Sequence, residues 1–159
     1  MKMNAAQLRA GELKDADAIA RLVNDAFRPE RFFIDGDRTN PENVRELINK
    51  GKFLLAEERE RIVGCVYVEP RGEHWYLGLL SVDPSRQGGG LGSLLMTAAE
   101  EHARSAGALV MDLRIVNLRS ALPGFYRRLG YEETGTAPLP ADATVKQPCH
   151  FIQMSKKLG

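Results

Sequence analysis

The chain has few of the residues that usually mark a metal, redox or nucleic-acid function. Its 159 residues include two cysteines, Cys65 and Cys149, and one tryptophan. Neither cysteine has the spacing of a metal-ligand pair, and no metal motif surrounds His150 next to Cys149, so no metal is expected. Cys65 lies in an apolar run with Ile62, Val63, Val66 and Val68, where a thiol behaves as a small hydrophobe. The scarcity of cysteine excludes a disulfide scaffold and points to a reducing compartment, the cytoplasm. Excess charge is missing as well. With 22 Lys+Arg against 21 Asp+Glu the formal net charge is +1, which gives no overall basic field for nucleic acid or an anionic membrane. No stretch approaches the ~18 uninterrupted apolar residues of a membrane span, and the N-terminus lacks a signal-peptide core.

What is present fits one soluble domain. The length suits a single core, and no linker, repeat or low-complexity segment divides it. Gln7–Arg9 ends a short strand, and residues 12–27 carry apolar residues at helical spacing with Asp15 as a candidate cap. Asn40, Pro41 and Gly51 mark the cap, first position and exit of a second helix. Residues 52–58 and 61–70 form a predicted hairpin, and residues 73–84 a third strand stopped by Pro84. A helix over about 91–106, a strand at 108–116, a short helix at 120–129 and two closing strands complete the order β-α-α-β-β-β-α-β-α-β-β. Consecutive strands favour antiparallel pairing, whereas the crossover through 91–106 favours one parallel pair. The expected fold class is α/β (α+β), with a mixed, mostly antiparallel central sheet flanked by helices.

The chemistry is concentrated in "SVDPSRQGGGLGSLLM", residues 81–96, where four of the five positions from Gly88 to Gly92 are glycine and a helix follows. Backbone N–H groups at a helix start make an anion site, and glycines let a bulky anion approach. Two nucleotide loops are excluded by spacing. Gly92 is followed by Ser93 and Leu94, not by the Lys of a nucleotide-hydrolysing loop. The pattern G-x-G-x-x-G also fails, because the third position is Ser93 or Leu95. A phosphate or pyrophosphate site on the amides from Gln87 to Ser93 survives.

With that loop on the page, the chain resembles the GNAT superfamily of N-acyltransferases. Gln87, Gly90 and Gly92 match the family's acyl-CoA signature, and "NLRSALPGFYRRLGY" (117–131) is similar to its later Asn…Tyr…Gly-aromatic block. Pro123 and Gly124 lengthen the interval from Asn117 to Tyr126 beyond the family's commonest spacing. The element order is also similar from the first strand to the last. The resemblance implies acetyl-CoA as cosubstrate, with its pyrophosphate on Gln87, Gly88, Gly90, Gly92 and Ser93 and its pantetheine arm beside Leu80–Val82. Asn117 belongs to the cofactor-binding set, and Tyr126 is the implied acid for the departing thiolate. Arg86, Arg127 and Arg128 are candidates for the 3′-phosphate.

The implied reaction is direct attack by a primary amine in a ternary complex. The family often places a carboxylate on the strand before the glycine loop, but residues 77–82 carry none. Glu69, Glu73, His74 or a water chain are the remaining base candidates. The acceptor, a small-molecule or protein amine, is expected over residues 28–40 and Trp75–Tyr76. There Glu30, Asp35 and Asp37 would attract a cation, and Phe32, Phe33 and Trp75 would shape an apolar pocket. A homodimer is compatible with this class; nucleic acid and membrane are not expected partners. A non-catalytic acyl-CoA sensor on the same fold is the competing reading, and a nucleotide-binding regulatory domain lacks its required Lys or third glycine.

Overall fold

The computed structural model describes residues 6–159. Four helices and seven strands follow in the expected order. β1 (Gln7–Ala10), α1 (Ala16–Ala26) and α2 (Pro41–Lys50) precede β2 (Lys52–Glu58), β3 (Arg61–Arg71) and β4 (His74–Val82). Then come α3 (Leu91–Ser105), β5 (Val110–Val116), α4 (Leu122–Arg128), β6 (Glu132–Ala137) and β7 (Phe151–Lys157). They build one sheet in the order β1-β2-β3-β4-β5-β7-β6.

Local chemistry sets the boundaries. Asn40 accepts the Asn43 N–H at 2.8 Å and Pro41 takes the first turn of α2. Arg59 and Glu60 both take positive φ, as a two-residue hairpin turn between β2 and β3 requires. Asp15 acts differently from a simple cap of α1. Its carboxylate accepts the Glu12 N–H in a preceding 3-10 turn and receives both terminal nitrogens of Arg9, each at 2.9 Å. α1 stops at Ala26, before Pro29, and a second 3-10 turn carries Arg28–Phe32.

Two cores lie on opposite faces of the sheet. Ile19, Val23, Val44, Phe53, Leu55 and Tyr67 pack under α1 and α2. The other core takes Leu77, Leu95, Met96, Met111, Leu113 and Met154 under α3 and α4. On α3, Leu94 is 41% exposed, whereas Leu95, Met96, Ala99 and Ala103 are buried. Helices cover β1–β4 on one face; the same face of β5 and β7 carries Asp112, Arg114, Gln153 and Ser155, which belong to neither core.

Two features of β4 position the site. Its parallel pairing with β5 holds only at His74–Val110, Trp75–Met111 and Tyr76–Asp112, so Leu77–Val82 continue with no partner on that edge. On the other edge, Gly78 pairs with Tyr67 and Ser81 with Cys65, leaving Leu79 and Leu80 opposite Val66. This bulge sits at a leucine with φ of 55°, a conformation that costs a bulky residue strain. One extra residue reverses the strand's faces: Leu79 joins the α1–α2 core and Leu80 and Val82 pack towards α3.

Candidate active site

A cavity of about 530 Å³ occupies the gap between β4 and β5. One wall is the free edge of β4, including Gly78, Leu80 and Val82; the floor of one end is Gln87, Gly88, Gly90, Gly92 and Ser93. The opposite wall comes from Arg119, Leu122, Phe125, Tyr126 and Arg128. Of the residues expected to bind cofactor, the structure brings together seven: Leu80, Val82, Gln87, Gly88, Gly90, Gly92 and Ser93. It does not bring Asn117 to them. Asn117 accepts the His150 N–H at 2.8 Å through its side chain and donates its own N–H to the His150 carbonyl at 2.9 Å. It fastens the end of β5 to the chain entering β7, and Arg119, two residues on, reaches the cleft instead.

The glycine end has the chemistry of an anion cradle. Gly88 and Gly90 take φ of 85° and 87°, and a Cβ on either would meet nothing within 4 Å. These glycines serve backbone geometry and an open approach, not close packing. Gly90 precedes α3 and no side chain caps that helix. Its first-turn N–H groups therefore face the cleft without internal partners, at the positive end of a fifteen-residue helix. Gly92 is tighter, since its Cβ would lie 3.4 Å from the Phe125 ring. The three arginines considered for a terminal phosphate separate here. Arg86 binds both oxygens of Glu58 and Arg127 binds Glu133, whereas Arg128 lines the cleft without a charged partner among the described residues.

Tyr126 is 6% exposed, flanked by Phe125 at 5.0 Å and Tyr131 at 6.0 Å between ring centroids. Its hydroxyl forms no hydrogen bond among the described residues, although Tyr126 lines the cavity. Burial raises the phenol well above its ordinary value, with Arg119 opposing. It stays protonated across the physiological range and is free to donate.

The base candidates named from sequence lie elsewhere. Glu69 accepts from Tyr67 and Arg71, both at 2.8 Å. Burial pushes its carboxyl up, but those two donors outweigh it and leave the group below its usual value. His74 sits on the uncovered sheet face, its Nδ1 2.7 Å from Asp112, in a second cavity of about 400 Å³. The exposed Glu73 side chain lines neither cavity. Glu30, which sequence treated only as an attractant, lines a neighbouring cavity of about 410 Å³ and meets the cleft through Arg119, which lines it. Glu30 is 8% exposed and accepts from Arg119 at 3.0 Å, across 89 residues of chain. Burial raises its carboxyl above the ordinary range despite Arg119 and Arg38, and its charge is felt at Tyr126. Trp75 lies on the wrong face for an acceptor pocket, buried edge-on to His102 at 5.8 Å, and Phe32 is 74% exposed. Phe27, Tyr76 and Phe151 supply the aromatic walls instead. Among the described residues no cluster of His, Cys, Asp and Glu could hold a metal ion, and no helix is long and apolar enough to cross a membrane.

Comparison with known proteins agrees with this architecture. Residues 49–133 match the sequence model described as Acetyltransferase (GNAT) domain. The mycothiol acetyltransferase of Actinosynnema mirum is 31% identical over 125 residues, covering 74% of this chain and 41% of that protein. The chain spans less than half the length of the mycothiol acetyltransferases it matches. The IAA acetyltransferase of Azospirillum brasilense is 27% identical over 125 residues, covering 75% of this chain and 80% of that one. An aminoglycoside 6'-N-acetyltransferase solved with coenzyme A shares the fold, with a TM-score of 0.78 and 21% identity. That superposition covers 96% of this chain and 97% of the other.

Proposed function

Because this chain belongs to the GNAT acetyltransferase family, we propose that it transfers an acetyl group from acetyl-CoA to a primary amine in the cleft between β4 and β5. The observation that carries the proposal is the convergence on one cleft of three features. These are an uncapped helix start led by open glycines, an unpaired strand edge, and a phenol with no protein partner.

The residues fit the cosubstrate. Amides from Gln87 to Ser93 would hold the pyrophosphate, and the free edge of β4 would pair with the amide groups of the pantetheine arm as an added strand does. Arg128, which lines the cleft without a charged partner among the described residues, would meet the remaining phosphate. Acetyl-CoA supplies the activated thioester carbonyl; everything else must come from the chain.

Three demands follow. The attacking amine must be neutral, and with an ordinary value near ~10.4 its deprotonation at pH 7 costs roughly 4–5 kcal/mol. Glu30 is the carboxylate proposed to take that proton, directly or through water, since its raised value brings it nearer neutral pH. The negative charge that develops on the carbonyl oxygen needs a fixed donor. The backbone N–H groups at the Leu79–Leu80 bulge, where the register with β3 slips by one residue, are proposed for that role. The departing thiolate, near ~8.5 by analogy with cysteine, needs only modest help, and Tyr126 is the donor beside it.

Acetyl-CoA titration and thiol release across a panel of amines test the proposal. Gly90→Glu should abolish acetyl-CoA binding while the protein remains folded, because it places bulk and a negative charge on the phosphate cradle. Unchanged binding refutes the cradle. Binding without amine-dependent release from any acceptor refutes turnover and favours an acyl-CoA sensor.

A further inference from the structure

The loop after α1 reads as acidic, yet its carboxylates are already matched. Glu30 pairs with Arg119, Asp37 with Arg31 at 2.5 Å, and Asp35 with Lys146 at 3.5 Å. Glu30, Asp35 and Asp37 line the cavity of about 410 Å³ beside the cleft, the acceptor-side cavity, where only Asp142 adds a carboxylate without an ion pair among the described residues. On the neighbouring sheet face Asp112 is engaged by His74 and Ser155.

Arg114 is the opposite case. Among the described residues its guanidinium has no hydrogen bond or ion pair, and it lines all three cavities: the cleft, the acceptor-side cavity and the one on the uncovered sheet face. Two aromatic rings hold it, with the guanidinium carbon 4.7 Å from the Phe151 centroid and 5.9 Å from that of Tyr76. Stacking of this kind orients the guanidinium plane and leaves its N–H edge available. Arg38, 5.4 Å from the Phe27 centroid, brings a second cation to the acceptor-side cavity.

We propose that Arg114 selects the acceptor by binding a carboxylate, so that the substrate is a small amine bearing a free carboxylate, such as an amino acid. This rests on the acetyltransferase reading, and it reverses the cationic preference that the loop's composition suggests. A pre-oriented fork matches a planar carboxylate through two parallel N–H bonds. Arg114 and Tyr126 line the same cleft, so an acceptor lying along it has its carboxylate at the guanidinium and its amine towards the phenol. A polycationic acceptor would meet Arg114 and Arg38 at close range with the loop's acids already neutralised.

Calorimetric binding to the protein saturated with coenzyme A, using free L-amino acids each paired with its carboxamide, tests this independently of turnover. The expected result is that at least one free amino acid binds roughly 10- to 100-fold more tightly than its amide, the range of a charge-assisted contact. Arg114→Gln should remove the difference and Arg114→Lys restore part of it, with thermal melting confirming that both variants fold. Equal binding of acids and amides, or a preference that survives Arg114→Gln, overturns the proposal. A preference for O-phosphoethanolamine over every amino acid overturns the carboxylate assignment. Selective binding with no thiol release from any amine leaves this site standing while the transfer reading fails.

Discussion

Replacing Tyr126 with phenylalanine separates catalysis from folding at one atom. The lost hydroxyl has no hydrogen-bond partner among the described residues, and the ring contacts with Phe125 and Tyr131 remain. Removing a largely buried, unpaired hydroxyl forfeits no protein contact, so the melting temperature should move by no more than ~4 °C, about 1 kcal/mol for a chain of this size. The rate responds differently. A thiol near ~8.5 leaves as thiolate only about one pH unit above an assay at 7.5, so protonation contributes modestly. The expected fall in kcat is about 10- to 100-fold, or 1.4–2.7 kcal/mol, well short of the largest general-acid effects. Because burial raises the phenol, it remains protonated throughout an assay from pH 6 to 9, and the fall should be the same across that range. Single-turnover thiol release at saturating acetyl-CoA measures it. A kcat unchanged from wild type, or a defect that appears wholly as weaker acetyl-CoA binding, refutes the role of the hydroxyl.

Further outcomes follow from the geometry. Glu30→Gln should slow transfer at neutral pH and approach wild-type rates at high pH, where the amine is already neutral. In the wild type, the acidic limb of the pH–rate profile should lie above the ordinary glutamate value of ~4.3, because burial raises Glu30. Gly51→Ala places a Cβ 2.3 Å from the Val68 carbonyl oxygen and 2.7 Å from the Tyr67 hydroxyl. It should destabilise the fold by ~1–3 kcal/mol in denaturant titration. Cys65 is fully buried and its thiol is pushed up to about 12, so a thiol reagent should modify Cys149 alone in the native protein and both cysteines after unfolding.

The element order and the open, glycine-led start of α3 are legible because local signals coincide there. Asn40, Pro41 and Gly51 bracket α2, and the run Gly88–Gly92 has few structural uses beside an open helix start. What was not legible depends on partners distant in sequence. Composition presents Glu30 as one of several loop acids; only folding brings it to Arg119 and gives it a raised value. Trp75 and Tyr76 are equally aromatic in the sequence, and strand alternation alone assigns them to opposite faces without saying which face binds. Gly78 flanks the bulge, but the extra residue is Leu79, whose side chain gives no sign of it, so the reversal that sends Leu79 and Leu80 to different cores is invisible to a period-two reading. Asn117 is a motif position whose side chain a backbone group at His150 has claimed.

The splayed pairing of β4 with β5 also bears on how the molecule is assembled. Strands β1–β4 and β5–β7 are two antiparallel, sequence-contiguous units, sewn together at three parallel residue pairs and by the core that Leu77, Leu95, Met111 and Met154 share. The cleft is therefore the suture between two locally organised halves. A ligand strand laid along β4 would supply backbone bonds where the chain supplies none, and make substrate occupancy part of the sheet's continuity.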